Sequence, residues 1–562
     1  MTAPSIDRDT ADFARRRELL RFFVAMGMTS PAAGLLAKNA RAAVPQAGTP
    51  VPPLTSFVPN WPDHVEIWRQ LTQAWAPLGI QLEIRQGTLD TWVAQVVAEH
   101  KTPHLTSMSW GGAPDRLDPD YFLSEFFLGR RADVNGTLNY GRYRSAAFDA
   151  PCEAQRAEMD PVKRQALVRE AQTRIAEDSP SMFLLHKDII HAYNKKNFSG
   201  VKPILGNGIG APYMPLSYMD IAPLTARKFI KIATNNGIAS LNPFLTPEVY
   251  NSGVMRMMYP TFVTRDEKTD LMPWALESWN VVDPTTVDIV LRPGTKFHDG
   301  YAATVEDVKF TFDFIAKWKF PALSRVTDAV ASAEVTSDHT VRLKLKTPYA
   351  PFVANVLGYA FLAPKHIWEN VPENLASPAD WPNDNPVGSG PWKFITWRKG
   401  EFLQFAANKD FYMKPKLDGM VVLQVPQVES MIGMLERGDI DMVGWSMDVP
   451  LATRVEKNPD LVSVRTPTHG NHEIRFNLAM APCDNPAFRR ALQHATDREK
   501  LLEVICAGAG VASNGAPITP ALTNWANPDI KAPEPSVDKA RMVLKEAGFS
   551  WDGNGQLLMP SA

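Results

Sequence analysis

From residue 61 apolar side chains recur at spacings of three and four, with Val65, Trp68, Leu71, Trp75 and Leu78 on one face, which predicts an amphipathic helix that Gly79 stops. Ile80, Leu82 and Ile84 then alternate with polar residues in the two-residue period of a strand. A second helix carries Leu89, Trp92, Val93, Val96 and Val97, and Leu105 to Trp110 reads as the next strand. Pro161 opens a helix running to about Asp178 with Val162, Leu167, Ala171 and Ile175 inward, and an apolar strand from Met182 to Leu185 follows it. Helices and strands in alternation place the chain in the α/β class.

Between residues 200 and 225 the pattern breaks. Gly200, Pro203, Gly206, Gly208, Gly210, Pro212, Pro215 and Pro223 cannot sustain a helix, and the stretch reads as a linker or boundary. Beyond it come a strand near Phe229 to Ala233, a helix opened by the capping-box pair Thr304 and Asp307 with Val308, Phe312 and Ile315 inward, and a strand marked by Val341, Leu343 and Leu345.

At 562 residues the chain exceeds one ordinary core and suits two to four domains. Hydrophobic residues at 45% and charged residues at 21% are globular values, which argues against disorder and against a polytopic membrane protein. A net charge of −2 with no basic stripe interleaved with aromatics gives no footprint for nucleic acid. Cys152, Cys483 and Cys506 lack CxxC spacing, so they specify no zinc site; one Cys483 to Cys506 bridge stays open. Fifteen Trp and 47 Pro suit rigid loops around an aromatic-lined cavity.

Residues 1 to 42 have the layout of a signal peptide. Arg15, Arg16 and Arg17 precede an interrupted apolar run from Phe22 to Leu36, and Ala40-Arg41-Ala42 offers a small-x-small cleavage site. The run is too short and broken for a comfortable spanning helix. The Arg16-Arg17-x-Leu-Leu-Arg core is similar to a twin-arginine export signal, which implies a periplasmic location. The leader holds seven basic and four acidic residues, so its removal takes +3 from −2 and leaves −5.

The segment from Glu277-Ser-Trp-Asn through Leu291-Arg-Pro-Gly294 and Phe297-His-Asp-Gly300 to Glu306-Asp-Val308 resembles the signature of the peptide/nickel-type (family 5) extracytoplasmic solute-binding proteins of ABC importers. Four further blocks follow in that family's order: Pro386-Val-Gly-Ser-Gly-Pro-Trp392, Leu435-Glu-Arg-Gly-Asp-Ile-Asp441, Arg489-Arg-Ala-Leu492 with Asp497-Arg-Glu499, and Asp538 through Gly548. The family's last third is similar to residues 61 to 185 at the front of this chain, through the helix and strand of residues 61 to 85, Trp110 with Asp118-Pro119, and Glu177-Asp-Ser-Pro180. The resemblance therefore implies a two-lobed periplasmic-binding-protein fold with an extra domain, circularly permuted. Chain ends usually lie close together at a domain surface, which makes such a rotation tolerable. It implies that Val51 and Ala562 sit within about 20 Å on one domain. Residues 43–185 would be the second half of the distal ligand-binding lobe and 186–225 the end of the proximal lobe with a linker. Residues 226–270 and 386–476 would make the proximal lobe, 271–385 an extra α/β domain, and 477–562 the first half of the distal lobe.

The resemblance implies that the chain delivers a peptide or a small amine-bearing solute to membrane permease subunits of an ABC importer. It would act as a monomer, by cleft closure and without a cofactor. A sensor or chaperone on the same fold, or a nickel-chelate binder, is the alternative. The resemblance places Asp115 where relatives pair a carboxylate with a ligand ammonium, a charge-assisted contact, with Trp110 opening the same loop. Asn242, Trp445 and Asn477 are weaker cleft candidates. The family's dipeptide-anchoring Arg is absent from Phe57-Val-Pro-Asn60-Trp61-Pro-Asp63, which disfavours strict dipeptide recognition.

Catalysis is not expected, because Gly388-Ser-Gly390 lacks the G-x-S-x-G pattern and no phosphate-binding glycine loop opens a helix. No metal site is expected either. His100 and His104 are separated by Pro103, and His186 and His191 flank a strand-like segment and read equally as surface polar groups.

Overall fold

The computed structural model describes residues 47–560 apart from 112, 211–213, 246–248, 372 and 373, together with a few side chains. The leader and Ala562 lie outside the described residues. Among those described, no helix is long and apolar enough to cross a membrane.

Most predicted elements form where the periodicity places them. The helix Pro62–Trp75 buries Ile67, Trp68, Leu71 and Trp75, but Val65 points outward at 37% exposure. The strand Leu105–Trp110 and the helix Pro161–Asp178 match their predicted bounds, the latter capped by Asp160, whose carboxylate accepts from Val162 N and Lys163 N. Val162 is 74% exposed because it stands in the first turn, off the face that Arg164, Val168, Ala171 and Ile175 bury. Thr304 and Asp307 form the predicted capping box on the helix Val305–Trp318.

These elements build three principal sheets. A six-stranded sheet runs in the order Leu82–Gly87, Leu54–Pro59, Leu105–Trp110, Asn471–Phe476, Ser181–Lys187 and Gly510–Ala512. A seven-stranded sheet runs Trp392–Arg398, Phe402–Ala407, Gly419–Gln424, Phe229–Thr234, Met442–Val443, Ile189–Asn194 and Leu461–Thr466. The third, of four antiparallel strands, covers Leu276–Asp283, Thr286–Leu291, Thr340–Leu345 and Val330–Val335. Its core runs without a break into one face of the seven-stranded sheet, where Val287, Ile289, Phe312 and Leu343 share a cluster with Ile230, Ile232, Phe405 and Met420. The two large sheets define two lobes, and the small one is an extension of the second.

Two of the sequence blocks turn out to be joints. His298 Nε2 lies 3.0 Å from Gly390 O, while His298 Nδ1 accepts from Gly388 N. A side chain on Gly388 would stand 2.0 Å from Met258 O, so only glycine lets the two stretches of backbone meet there. The His-Asp-Gly turn thus ties the small sheet to the seven-stranded lobe.

The described residues between 198 and 223 make a closed excursion. Phe198–Ser199 pairs with Ala222–Pro223, and Ile204, Ile209, Tyr218 and Ile221 are buried between them. His191, 2% exposed, holds this excursion by accepting at Nδ1 from Ile209 N and Gly210 N at 3.2 Å each. His186 is as buried as His191, so neither is a surface group. Burial pushes His191 from its ordinary 6.5 down to about 3. The unfolded chain therefore takes up this proton first as pH falls, so the stability His191 contributes is complete above about 6.5 and is lost progressively toward pH 3. We expect an acid limb on the order of 2–4 kcal/mol in urea titrations across that window. His191→Gln, which keeps an acceptor and does not titrate, should remove its share of the limb while the buried His64, His186 and His298, pushed down to about 3, 4 and 4, keep the remainder; an unchanged limb would assign the effect to those other groups.

The described ends lie against one another. Gly48 N donates to Met559 O at 3.1 Å, Val51 N to Leu557 O at 2.7 Å, and Met559 N to Thr49 O at 2.8 Å. All three cysteines are buried and free, so the Cys483 to Cys506 bridge is not formed.

Candidate functional site

In open α/β sheets, ligands bind beyond the carboxyl ends of the parallel strands. In the six-stranded lobe, Leu54–Pro59 is parallel to Leu82–Gly87 and to Leu105–Trp110, so Asn60 to Asp63, Thr88 and the Trp110 loop share one edge. In the seven-stranded lobe, Phe229–Thr234 is parallel to Gly419–Gln424 and Met442–Val443, which brings Asn235, Val425 and Trp445 to one edge.

The chain passes between lobes at those same edges. Ser181–Lys187 in one sheet is followed after Asp188 by Ile189–Asn194 in the other, and Leu461–Thr466 returns through residues 467 to 470 to Asn471–Phe476. His186 Nδ1, 2.8 Å from Gly470 O, joins the two crossings, as does the Arg465–Asp188 ion pair. Two short neighbouring crossings are the geometry of a hinge, and the cleft opposite it is the candidate site.

The lobes are drawn together in this structure. Tyr349 Oη donates to Asp120 Oδ2 at 3.0 Å, and Ala350 N donates to Arg156 O at 2.6 Å. Between them lies a cavity of about 290 Å³ lined by charged groups, among them Glu125, Arg156, Arg325 and Asp328. Asp118, beneath this edge, is fully buried; burial alone would raise its pKa, but the two-pronged contact from Arg164 at 2.6 and 3.0 Å holds it below the ordinary value.

The five residues singled out from sequence do not converge. Trp110 ends its strand at the cleft, with its indole N–H spent on Glu473 Oε1 at 3.0 Å and its ring edge-on to Phe126 at 4.7 Å. Asp115 stands in the following turn, Pro114–Leu117, and its side chain is outside the described set. Trp445 follows Met442–Val443 at the facing edge, half-buried. Asn242 is wholly buried, its amide donating to Pro378 O and Trp381 O and accepting from Phe244 N, which is a loop clamp. Asn477 donates to Thr102 O at 2.6 Å and accepts from Ala479 N.

A different group gathers at the same edge. Asp63 and His64 open the helix Pro62–Trp75 directly after the strand Leu54–Pro59, and His472 Nε2 on a strand of the same sheet lies 3.1 Å from Asp63 Oδ2. Burial would raise the Asp63 carboxyl, yet the hydrogen bond from His472 and the His472 charge hold it well below the usual carboxylate range. Burial first, and then the His472 charge, push His64 down to about 3. The only sequence signal was Asp-His after Pro62 at a strand-to-helix junction, with its partner 409 positions away.

Known proteins resemble this chain over part of their length. The glutathione-binding protein GsiB of Pectobacterium atrosepticum is 27% identical over 340 residues, which cover 59% of this chain and 63% of GsiB. The oligopeptide-binding protein AppA of Bacillus subtilis is 29% identical over 321 residues, covering 56% of this chain and 58% of AppA. The chain thus spans about six-tenths of the length of these curated relatives. NikZ of Campylobacter jejuni, solved with Ni(L-His), superposes with a TM-score of 0.48 at 25% identity, over 60% of this chain and 66% of NikZ. The model of the bacterial extracellular solute-binding proteins, family 5, matches residues 270–561, which include the His-Asp-Gly turn, the Pro-Val-Gly-Ser-Gly-Pro-Trp block and the returning hinge strand. With over half of the chain matched and two hinged lobes built around it, this protein belongs to the family 5 bacterial extracellular solute-binding proteins.

Proposed function

We propose that the protein is an exported receptor that captures a peptide or another amine-bearing solute between its lobes and delivers it to the permease subunits of an ABC importer. The observation that carries this reading is the hinge: two adjacent crossings, at Asp188 and at residues 467–470, join lobes whose strand carboxyl ends face one cleft. A solute that touches both edges shifts the population toward the closed form by its differential affinity for that form. Trp110 and Trp445 supply aromatic walls, and Asp115 supplies the carboxylate for an ammonium. The binding-protein character of the family, and the peptides and glutathione named for AppA and GsiB, support a solute of this class. Export is assigned to the twin-arginine-like leader at residues 1–42, with the periplasm as destination.

The reading includes the rotated chain order. Its supports are the pairing of residues 48–51 with 557–559 and a six-stranded sheet that interleaves residues 54–110 and 181–187 with 471–512. Gly79 is part of the same seam: a side chain there would meet Gly555 O at 2.3 Å.

Mass spectrometry of solute released from natively exported protein tests the function, followed by thermal-shift titration with the candidates it identifies. Peptides or amines that raise the melting temperature saturably and are recovered unchanged are expected. A solute with no amine, or one turned over into product, would overturn the reading. A second arm uses a chain reordered to run from 226 to 562 and then from 51 to 222. It should bind the same solute with the same spectrum, and failure of this arm alone would reject only the rotation.

A further inference from the structure

The three residues at the cleft edge have the makings of a metal site. Asp63, His64 and His472 each offer one ligand atom, and these atoms all lie within 4.8 Å of one another. Two metal bonds of about 2.1 Å at a tetrahedral angle hold their ligand atoms about 3.4 Å apart, and Asp63 Oδ2 stands 3.1 Å from His472 Nε2.

His64 is the informative member. It is fully buried, and its Nδ1 lies 2.8 Å from Ser107 Oγ, which also accepts the indole N–H of Trp68 at 2.9 Å. Its Nε2 is buried and has no hydrogen-bond partner among the described residues. An orphaned buried nitrogen is destabilising and needs a reason. If His64 donates from Nδ1 to Ser107, its Nε2 carries a bare lone pair available to a metal, the arrangement that an N–H to oxygen bond fixes in metal-ligating histidines. Trp61 packs edge-on against the ring at 5.3 Å and holds its plane.

The carboxylate is prepared in the same way. Asp63 Oδ1 accepts from His64 N at 2.9 Å, which leaves Oδ2 facing His472. The helix N-terminus would by itself repel a cation by a few tenths to about 1 kcal/mol, and Lys187 adds positive charge nearby. The Asp63 charge opposes both. Two imidazoles and one carboxylate suit a borderline divalent ion such as Zn²⁺, Ni²⁺ or Co²⁺ better than the hard, oxygen-seeking Mg²⁺ or Ca²⁺. Three protein ligands leave at least one coordination position open, and the 24% exposure of the Asp63 side chain puts it on the cleft side.

We propose that Asp63, His64 and His472 bind one divalent first-row transition-metal ion at the cleft edge, with Ser107 as the positioning residue for His64. The site stands apart from the receptor reading, because it uses the protein's own side chains and no solute.

The test uses untagged, chelator-stripped full-length protein titrated with Zn²⁺, Ni²⁺ and Co²⁺ in separate calorimetric runs, with Mg²⁺ as control. The metal content after dialysis and the visible d–d absorption of bound Co²⁺ are also read. One equivalent of transition metal and none of Mg²⁺ is expected. His472→Gln and Asp63→Asn should each weaken binding at least a hundredfold, and Ser107→Ala about tenfold, with unchanged far-UV circular dichroism. His64→Ala opens a cavity beside Trp68, so the two more exposed positions decide the outcome if that variant does not fold. Absence of stoichiometric uptake by the wild type, or undiminished uptake by folded His472→Gln and Asp63→Asn, would overturn the proposal. Neither result bears on solute capture in metal-free buffer.

Discussion

Arg475→Met is expected to lower the stability of the six-stranded lobe by about 3–5 kcal/mol, the cost of leaving a buried charge without its partner. Arg475 and Glu473 are both essentially inaccessible, and the guanidinium reaches the two carboxylate oxygens at 2.8 and 2.9 Å. The carboxylate also accepts from Trp110 Nε1, Tyr140 Oη and Ser181 Oγ, at 3.0, 3.2 and 2.9 Å. Three neutral donors do not balance a negative charge cut off from water, so the loss is not confined to one contact. The guanidinium lies over the rings of Phe127 and Tyr140, at 4.4 and 4.9 Å, which adds lost packing. Urea unfolding monitored by tryptophan fluorescence measures the effect. The double variant Glu473→Gln with Arg475→Met should recover more than half of it, and a double variant as unstable as the single one would show that packing, not charge, is at stake.

Gly470→Val should cost about 3 kcal/mol through overpacking and weaken solute binding on the order of a hundredfold if that strain falls on the closed form. A side chain at Gly470 would stand 1.8 Å from Trp110 O and 2.9 Å from its carbonyl carbon, both backbone atoms with no rotamer to yield. Relief requires the returning hinge segment to move away from Trp110, which breaks the Asn471 to Trp110 end of the ladder. Calorimetric titration with the identified solute and small-angle scattering of the free and bound forms check this. Wild-type affinity together with wild-type stability would remove Gly470 from the hinge account.

Local pattern carried much of the fold. Pro161–Asp178 and Leu105–Trp110 form at their predicted limits because their ends are marked, the helix by Asp160 and Pro161 at its start and the strand by the Gly-containing loop after Trp110, although neither has a clean hydrophobic period. Facing was harder to read. Val65 and Val162 are apolar and in helices, yet packing chose Ile67 and Arg164 for the inner face, the latter because its charge is bonded to Asp118. The site was legible only in part. Trp110 belongs to a recognisable loop, whereas Asn242 and Asn477 looked polar enough for a ligand and donate their amides to backbone carbonyls of distant segments, Trp381 O and Thr102 O. His472 carries no sequence cue at all. Its meaning comes from the register that sets its strand against Leu105–Trp110 and so beside the helix that Asp63 and His64 open.

The seam between residues 48–51 and 557–559 has a practical corollary for anyone who wishes to watch this protein move. Both sides of the seam pack on the six-stranded lobe, where Val51 and Leu557 share a buried cluster with Leu54 and Trp68. Dyes placed near the two ends would therefore ride on one lobe and keep a constant separation through the cleft closure proposed above. Tension applied between them would shear a short ladder and leave the hinge slack. An optical reporter of closure needs one label beside that seam and the other on the far lobe, for instance on the exposed Lys195 to Lys196 turn.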